Sequence, residues 1–264
     1  MADWNKVKIY YDNRLRDTGS TLLATSTEST SDFSKDYISN WLETNAWQAE
    51  DSAMATTQDL TLDLGVGNTA TCDYLTIYNH NLNTAGVTIV LQYSTDNFSG
   101  DTNDAFTAEA VSADTVYHKE FSAPSAVRYW RIRLTGVTGD APYIRVASFG
   151  IATELDYAST SYDPYQESIK QNVSMTEGGR IAGIHKKYTE RNFSIQFTDA
   201  DSTLYNKAKT FFDTHEGMQF FIGWETGSNP DEIWLVRNSE DHNSPLQDNG
   251  VYRSVTLDVK GRKE

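Results

Sequence analysis

One cysteine, Cys72, stands among 264 residues, so no internal disulfide can staple the chain. Cationic residues are also scarce, with 22 Lys and Arg against 37 Asp and Glu and a formal net charge of −15. Nucleic acid is bound through clustered Lys and Arg, so this balance argues against it as a partner. It equally disfavours an anionic membrane surface. No apolar run is long enough to span a bilayer, and the opening Met1-Ala-Asp-Trp-Asn-Lys6 lacks the apolar core of a signal peptide. The expectation is a chain made in a cytoplasm, with no membrane insertion. Catalytic templates are missing as well. There is no Gly-x-Ser-x-Gly elbow, no phosphate-binding glycine loop and no His-Glu-x-x-His helix. The five histidines, His80, His118, His185, His215 and His242, are scattered, with no His or Cys at metal-ligand spacing. Cys72 lies in a stretch that reads as a strand, which suits a small buried hydrophobe better than a nucleophile. An enzyme is not expected.

What is present is enough for two ordinary domains, each able to bury its own core. Hydrophobic residues make up 38% and aromatic residues 12%, a folded composition with rings to spare for interfaces or sugar stacking. The pattern changes near residue 155. Before it, short runs alternate apolar with polar residues, the period-2 mark of strands covered on one face. They are Lys6–Tyr11, Thr21–Thr25, Leu60–Leu64, Asp73–Tyr78, Val87–Tyr93, Arg128–Leu134 and Ile144–Phe149, with a loop from Phe33 to Ser52 that holds Trp41 and Trp47. Such spacing predicts a sandwich of antiparallel sheets. Ala152 to Tyr165 loses periodicity and reads as the connection.

Beyond it the order is strand, strand, helix and three strands, an α+β unit. Glu167–Met175 and Asn192–Phe197 precede the one clear helix, Ser202–His215. Asp199 or Asp201 is placed to cap that helix; Leu204, Ala208, Phe211 and Phe212 share its face, and Gly217 follows as a left-handed stop. Met218–Trp224, Glu232–Arg237 and Tyr252–Val259 close the chain. The division expected is a first domain over 1–155, a linker over 156–165 and a second domain over 166–264.

The densest polar cluster is Tyr78-Asn-His-Asn-Leu82, just after a strand. A sugar site needs this mixture of planar donors and acceptors beside an aromatic face. Asn79, His80 and Asn81 are therefore candidates, with Trp47 and Tyr143 as candidate rings. The alternative is a loop held together by its own asparagine side chains. Asp12-Asn13 and Asn40 to Asn45 hold oxygen ligands of the kind Ca²⁺ takes, without EF-hand spacing. Ordinary turn chemistry accounts for them equally well, and spacing alone favours it.

The first half resembles the galactose-binding-like (discoidin, or F5/8 type C) jelly-roll family over roughly residues 5–155. The resemblance rests on the order of Ile38-Ser-Asn-Trp-Leu-Glu43, Trp47, Leu60–Gly65, Tyr74–Tyr78, Gln92–Asp96, Arg128–Leu134 and Ile151–Leu155. It implies binding of sugars through loops at one end, and a structural Ca²⁺ that would fall to Asn40, Glu43 and Glu154. Here Glu43-Thr44 stands where the family commonly has Asp-Gly. The second half is similar to the tube-docking domain of phage distal tail and baseplate proteins, a β-barrel with one flanking helix. That similarity lies in Arg191–Phe197, Phe211–Gly217, Phe220–Trp224 and Tyr252–Val259. It implies a virion protein made in the host cytoplasm, forming a ring of about six copies between tail tube and baseplate hub proteins. The ring would be joined through edge strands and Phe220, Trp224 and Trp234, although for any one of these three rings a core position is the better reading, with the jelly roll turned to host-surface glycans. The alternative is a non-catalytic carbohydrate-binding module of a polysaccharide-degrading or adhesion system.

Overall fold

The strands of the first half hold an alternating pattern because each has one face toward a shared core. In the computed structural model, which describes residues 6–30, 32–50, 57–215, 217–225, 227, 229–239 and 243–263, the fold is mainly β with one α-helix. His242, the opening Met1–Asn5 and the end of the Phe33–Ser52 loop lie outside the described residues. The chain divides into two units, Tyr10–Thr153 and a second made of Glu154–Glu264 with Met1–Ile9.

The strands of the chain begin with β1 (Lys8–Tyr10), β2 (Thr21–Ala24), β3 (Trp47–Gln48), β4 (Gln58–Asp63), β5 (Tyr74–His80) and β6 (Thr88–Ser94). Then come β7 (Asn103–Asp104), β8 (Glu109–Ala110), β9 (Val116–Glu120), β10 (Tyr129–Thr135) and β11 (Tyr143–Gly150). Two antiparallel sheets enclose the core of the first unit. One runs β2-β4-β10-β6-β7 with β8 also on β6, and the other runs β3-β11-β5-β9. Leu60, Leu62, Ile89, Leu91, Trp130 and Ile132 from the first sheet meet Trp47, Leu75, Ile77, Ile144 and Phe149 from the second in a single buried cluster. In β4 and β10 the burial alternates residue by residue, as the sequence pattern requires. Cys72, in the turn before β5, belongs to the same cluster and is fully buried. At the end of β11 the backbone passes so close to the Asp12 carbonyl that a Cβ on Gly150 would collide with it. β9 was not foreseen, because Tyr117 is its one buried residue and the rest of Val-Tyr-His-Lys-Glu is polar or half-exposed.

The second unit continues with β12 (Thr153–Glu154), β13 (Glu167–Met175), β14 (Ile181–Ala200), α1 (Ser202–Thr214), β15 (Gln219–Gly223), β16 (Ile233–Asn238), β17 (Leu246–Gln247) and β18 (Tyr252–Arg262). They form one sheet in the order β12-β1-β15-β16-β18-β14-β13, with β17 on β18. The first strand, expected in the sandwich, lies instead in this sheet. So does the short strand after Ile151, expected to close the jelly roll. The reason is burial: Val7 and Ile9 are 2% and 1% exposed, and the Leu155 amide donates to the Val7 carbonyl. Ile9 and Leu155 close on the same small apolar space as Leu204, Ala208, Phe211, Phe197, Val255 and Leu257, beneath α1.

The helix follows its sequence signals. Asp201 Oδ1 accepts the Leu204 amide at 2.8 Å, so Asp201 rather than Asp199 is the cap. Gly217 sits at φ +72°, the left-handed stop expected of it. Phe212 is half-buried while Leu204, Ala208 and Phe211 are buried. Phe220 and Trp224, read either as contacts between copies or, preferably, as core, are 0% and 7% exposed and belong to the core of their own unit. Trp234 is half-buried, stacked on Trp224 and covered by the Arg191 guanidinium at 4.0 Å. β14 is far longer than the strand read at Asn192–Phe197, since its first half pairs only with β13 and lacks the buried positions that give a strand its alternating pattern.

Candidate functional site

The five residues nominated for a sugar site do come together, at one end of the sheet β3-β11-β5. Trp47 is paired with Ile144, and Ile144 with His80, in a row across three strands; Tyr143 is paired with Gln48. The row itself points inward. Trp47 is 0% exposed and its indole Nε1 donates to the Ser26 carbonyl at 3.0 Å, so it is a core residue and offers no stacking platform. His80 is 1% exposed, and its Nδ1 accepts the Leu82 amide at 3.2 Å. Burial pushes the imidazole down to about 4, only partly opposed by the Asp114 carboxylate, so it is neutral at ordinary pH. Both were nominated from their chemistry. Each lies instead in the sandwich interior, because the alternation of the strand that carries it turns it there.

Asn81 has a structural task. Its Nδ2 donates to the Ala141 carbonyl at 2.9 Å and its Oδ1 accepts the Tyr143 amide at 2.7 Å, clamping the segment that enters β11. The alternative of a loop held by its own asparagines is thus realised at this residue, although its partners are across the sheet. Asp114 braces the same end, accepting the Asn83 and Thr84 amides. Asn79 takes up φ +53° between two paired residues, an αL position that asparagine tolerates and that kinks β5.

What these contacts leave toward solvent is a second row. Tyr143 and Gln48 are cross-strand partners and half-buried, and Arg145 lies two residues along β11 on the same face. The Arg145 guanidinium is 5.7 Å from the Tyr143 ring centroid, and its Nη1 donates to the Glu43 carbonyl at 2.9 Å. Its Nε has no hydrogen-bond acceptor among the described residues. The Glu43 carboxylate accepts the Tyr78 hydroxyl at 3.3 Å. An aromatic ring, a guanidinium, an amide and a carboxylate therefore share one patch, the chemistry that reads sugar hydroxyls over an apolar ring face. Arg145 and Gln48 were missed from sequence. The signal was available only as alternation: they are outward-facing partners of residues known to be in strands.

The proposed Ca²⁺ set does not fit. Asn40 spends its amide internally, with Oδ1 accepting the Leu42 amide at 2.8 Å and Nδ2 donating to Asn45 at 3.2 Å. Glu43 is bound to Tyr78. Glu154 belongs to the other unit, where it lies 3.8 Å from Lys6. Among the described residues no group of three or more His, Cys, Asp or Glu could hold a metal ion. Asp12 and Asn13 are likewise used in the fold: Asp12 accepts the Ile151 amide at 3.0 Å and pairs with Arg14 at 2.8 Å, while Asn13 donates to the Ala147 carbonyl at 3.0 Å.

No protein-family model matches the chain, and no curated protein matches its sequence. Solved structures similar to it include a chitosan-binding module derived from a chitosanase/glucanase of Paenibacillus sp. IK-5, at 16% identity over 52% of this chain and 97% of that one, with a TM-score of 0.43. A second is a Clostridium perfringens module in complex with GalNAc-β-1,3-galactose, at 13% identity over 52% and 98%, with a TM-score of 0.42. A third is the family 32 carbohydrate-binding module of C. perfringens NanJ in complex with galactose, at 13% identity over 55% and 99%, with a TM-score of 0.43.

Proposed function

We propose that the unit Tyr10–Thr153 is a non-catalytic carbohydrate-binding module whose ligand lies on the outward face at the Tyr143 end of β11. One observation carries this reading: Tyr143, Arg145 and Gln48 form a solvent-facing cluster of ring, cation and amide on a rigid sheet, with Asn79 and Glu43 at its margin. The Tyr143 ring would stack on the apolar face of a sugar, while Arg145 and Gln48 would bond its hydroxyls. No bond of the sugar would be broken. The clamp by Asn81 and the brace by Asp114 hold the patch ready before the ligand arrives, which lowers the ordering cost of binding.

The test is a glycan array probed with the whole protein, followed by calorimetric titration of the best binder. Tyr143→Ala and Arg145→Ala are each expected to weaken that binding at least tenfold; the thermal midpoint should change little in Tyr143→Ala and fall modestly in Arg145→Ala, which loses the bond to the Glu43 carbonyl. Failure to bind any glycan on the array, or binding indifferent to both substitutions, would sink the assignment.

A second reading is a ring component of a phage tail or baseplate that carries this module to host-surface glycans, in which the long β13–β14 hairpin of the other unit would reach a neighbouring copy. Its ring would join tail tube to hub, and weak sugar contacts repeated around the ring would add in avidity. Electron microscopy of the protein mixed with its candidate tube protein tests it; the absence of any joint assembly would count against it.

A further inference from the structure

The β13–β14 hairpin is amphipathic in an unusual sense, because its apolar face meets solvent. Among the described residues β14 pairs with β13 alone from Ile181 to Tyr188; the Lys263 amide donates to the Thr189 carbonyl, and the ladder with β18 begins at Glu190. The two-stranded part is roughly 25 Å long at about 3.3 Å per residue. Val173 lies opposite Ile184 and Met175 opposite Ile181, and cross-strand partners share a face. Ile169 joins them by alternation along β13, beyond Gln171 and its partner Lys186, which share that face. All five are open to solvent, at 58% for Ile169, 41% for Val173, 66% for Met175, 60% for Ile181 and 59% for Ile184. The opposite face carries Ser174 paired with Gly183, Asn172 paired with His185 and Lys170 paired with Tyr188, and none of these six is aliphatic apart from the stem of Lys170. Among the described residues β13 is also the terminal strand of its sheet, with no strand on its outer side. A lone two-stranded ribbon is marginal in water, and an exposed apolar edge strand is a template for association.

Charge says what covers it. Residues 167–191 hold five Lys and Arg (Lys170, Arg180, Lys186, Lys187 and Arg191) against three Glu (Glu167, Glu177 and Glu190), a net of +2 in a chain of net −15. The rest of the chain is therefore at −17. At the root of the ribbon an open recess of about 640 Å³ gathers Lys186, Lys187, Arg262 and Lys263, with Glu167, paired to Lys263, as the one acidic residue among the described lining residues. An anionic membrane would attract this root and repel the rest of the molecule. A second copy of the same chain meets both demands, since its surface is strongly acidic outside its own ribbon.

We propose that the ribbon 169–188 docks its aliphatic face on the acidic body of a second copy, a head-to-tail contact that closes into a ring or continues as a filament. The basic recess fixes orientation, and burial of the five aliphatic side chains supplies the affinity.

The test is sedimentation velocity on the whole protein across a concentration series up to about 100 μM, a range that captures contacts of micromolar strength. Wild type is expected to associate. Ile184→Asp is expected to weaken association roughly a hundredfold, as removal of one apolar anchor and introduction of a like charge would do. Ser174→Asp, on the polar face, is expected to leave it within a fewfold of wild type. Because Ile184 is solvent-exposed, both variants should keep the wild-type thermal midpoint; should Ile184→Asp fail to, Val173→Ser takes its place. A wild-type monomer throughout the series overturns the proposal, as does equal weakening by the two substitutions. A monomer that floats with phosphatidylserine vesicles would overturn it in favour of a membrane.

Discussion

At the scale of single residues, His80 shows how position outranks residue type. Its burial keeps the folded-state pKa at about 4, against about 6.5 in an unfolded chain. Between those two values the unfolded state binds the extra proton, so acid favours unfolding. The contribution of neutral His80 is complete above pH ~6.5 and declines as pH falls toward 4, by roughly 3 kcal/mol at most over that window. His80→Asn removes the titration. Urea unfolding followed at several pH values should give a shallower fall in stability between pH 6.5 and 4 than wild type; an unchanged slope would mean His80 is solvated in the folded protein. Trp47, in the same row, is held by a packed core and the Ser26 carbonyl, so its substitutions should register in stability before they register in binding.

At the scale of elements, the helix is the case where local signals suffice. Asp201 satisfies the Leu204 amide, and the left-handed Gly217 follows the helix. Asp201→Ala should cost about 1 kcal/mol, read as a lower urea midpoint for the second unit with an unchanged slope. No loss, with the helix intact by circular dichroism, would assign the cap to another residue. The hairpin is the opposite case. Ile181-Ala-Gly-Ile-His-Lys-Lys-Tyr carries too few alternating apolar positions to announce a strand, because neither face of it packs on its own unit. Its strand character comes from hairpin pairing with β13 across residues 169–189, which the composition of β14 by itself does not display. β9 escaped notice for a related reason, being a strand whose register is set by β5 rather than by its own pattern.

At the scale of the whole molecule, two cores are built from a chain that is not divided in sequence order. Val7 and Ile9 are buried in the unit otherwise formed by residues from Glu154 onward, so the N-terminal strand serves the C-terminal half. Ile9→Ala should therefore lower the stability of that unit by about 2–5 kcal/mol through the cavity it leaves beneath α1. In differential scanning calorimetry one thermal transition should shift down while the transition of the sandwich stays in place. A shift confined to the sandwich transition would return the first strand to the first half, where the sequence reading had put it.

Much of this was legible from residues alone. Strands such as Leu60–Leu64, Val87–Tyr93 and Arg128–Leu134, the one helix with its cap and stop, and the change of architecture near residue 155 follow from periodicity and local hydrogen-bonding chemistry, both of which act over a few residues. The polar cluster around His80 lies at the end of β5, where Asn79, His80, Asn81, Trp47 and Tyr143 converge. Tertiary structure alone decided which of these face inward. The pairing of Trp47 and His80 with Ile144 sets them in the interior, while Gln48, Arg145 and Tyr143 take the outer face. It also decided that β1 crosses to the second sheet and that five aliphatic residues of the ribbon remain in water. The physical reason is common to all three. Burial is a property of register and of contacts distant in sequence, and a period-2 pattern states that a strand has two faces without stating which partner covers either one.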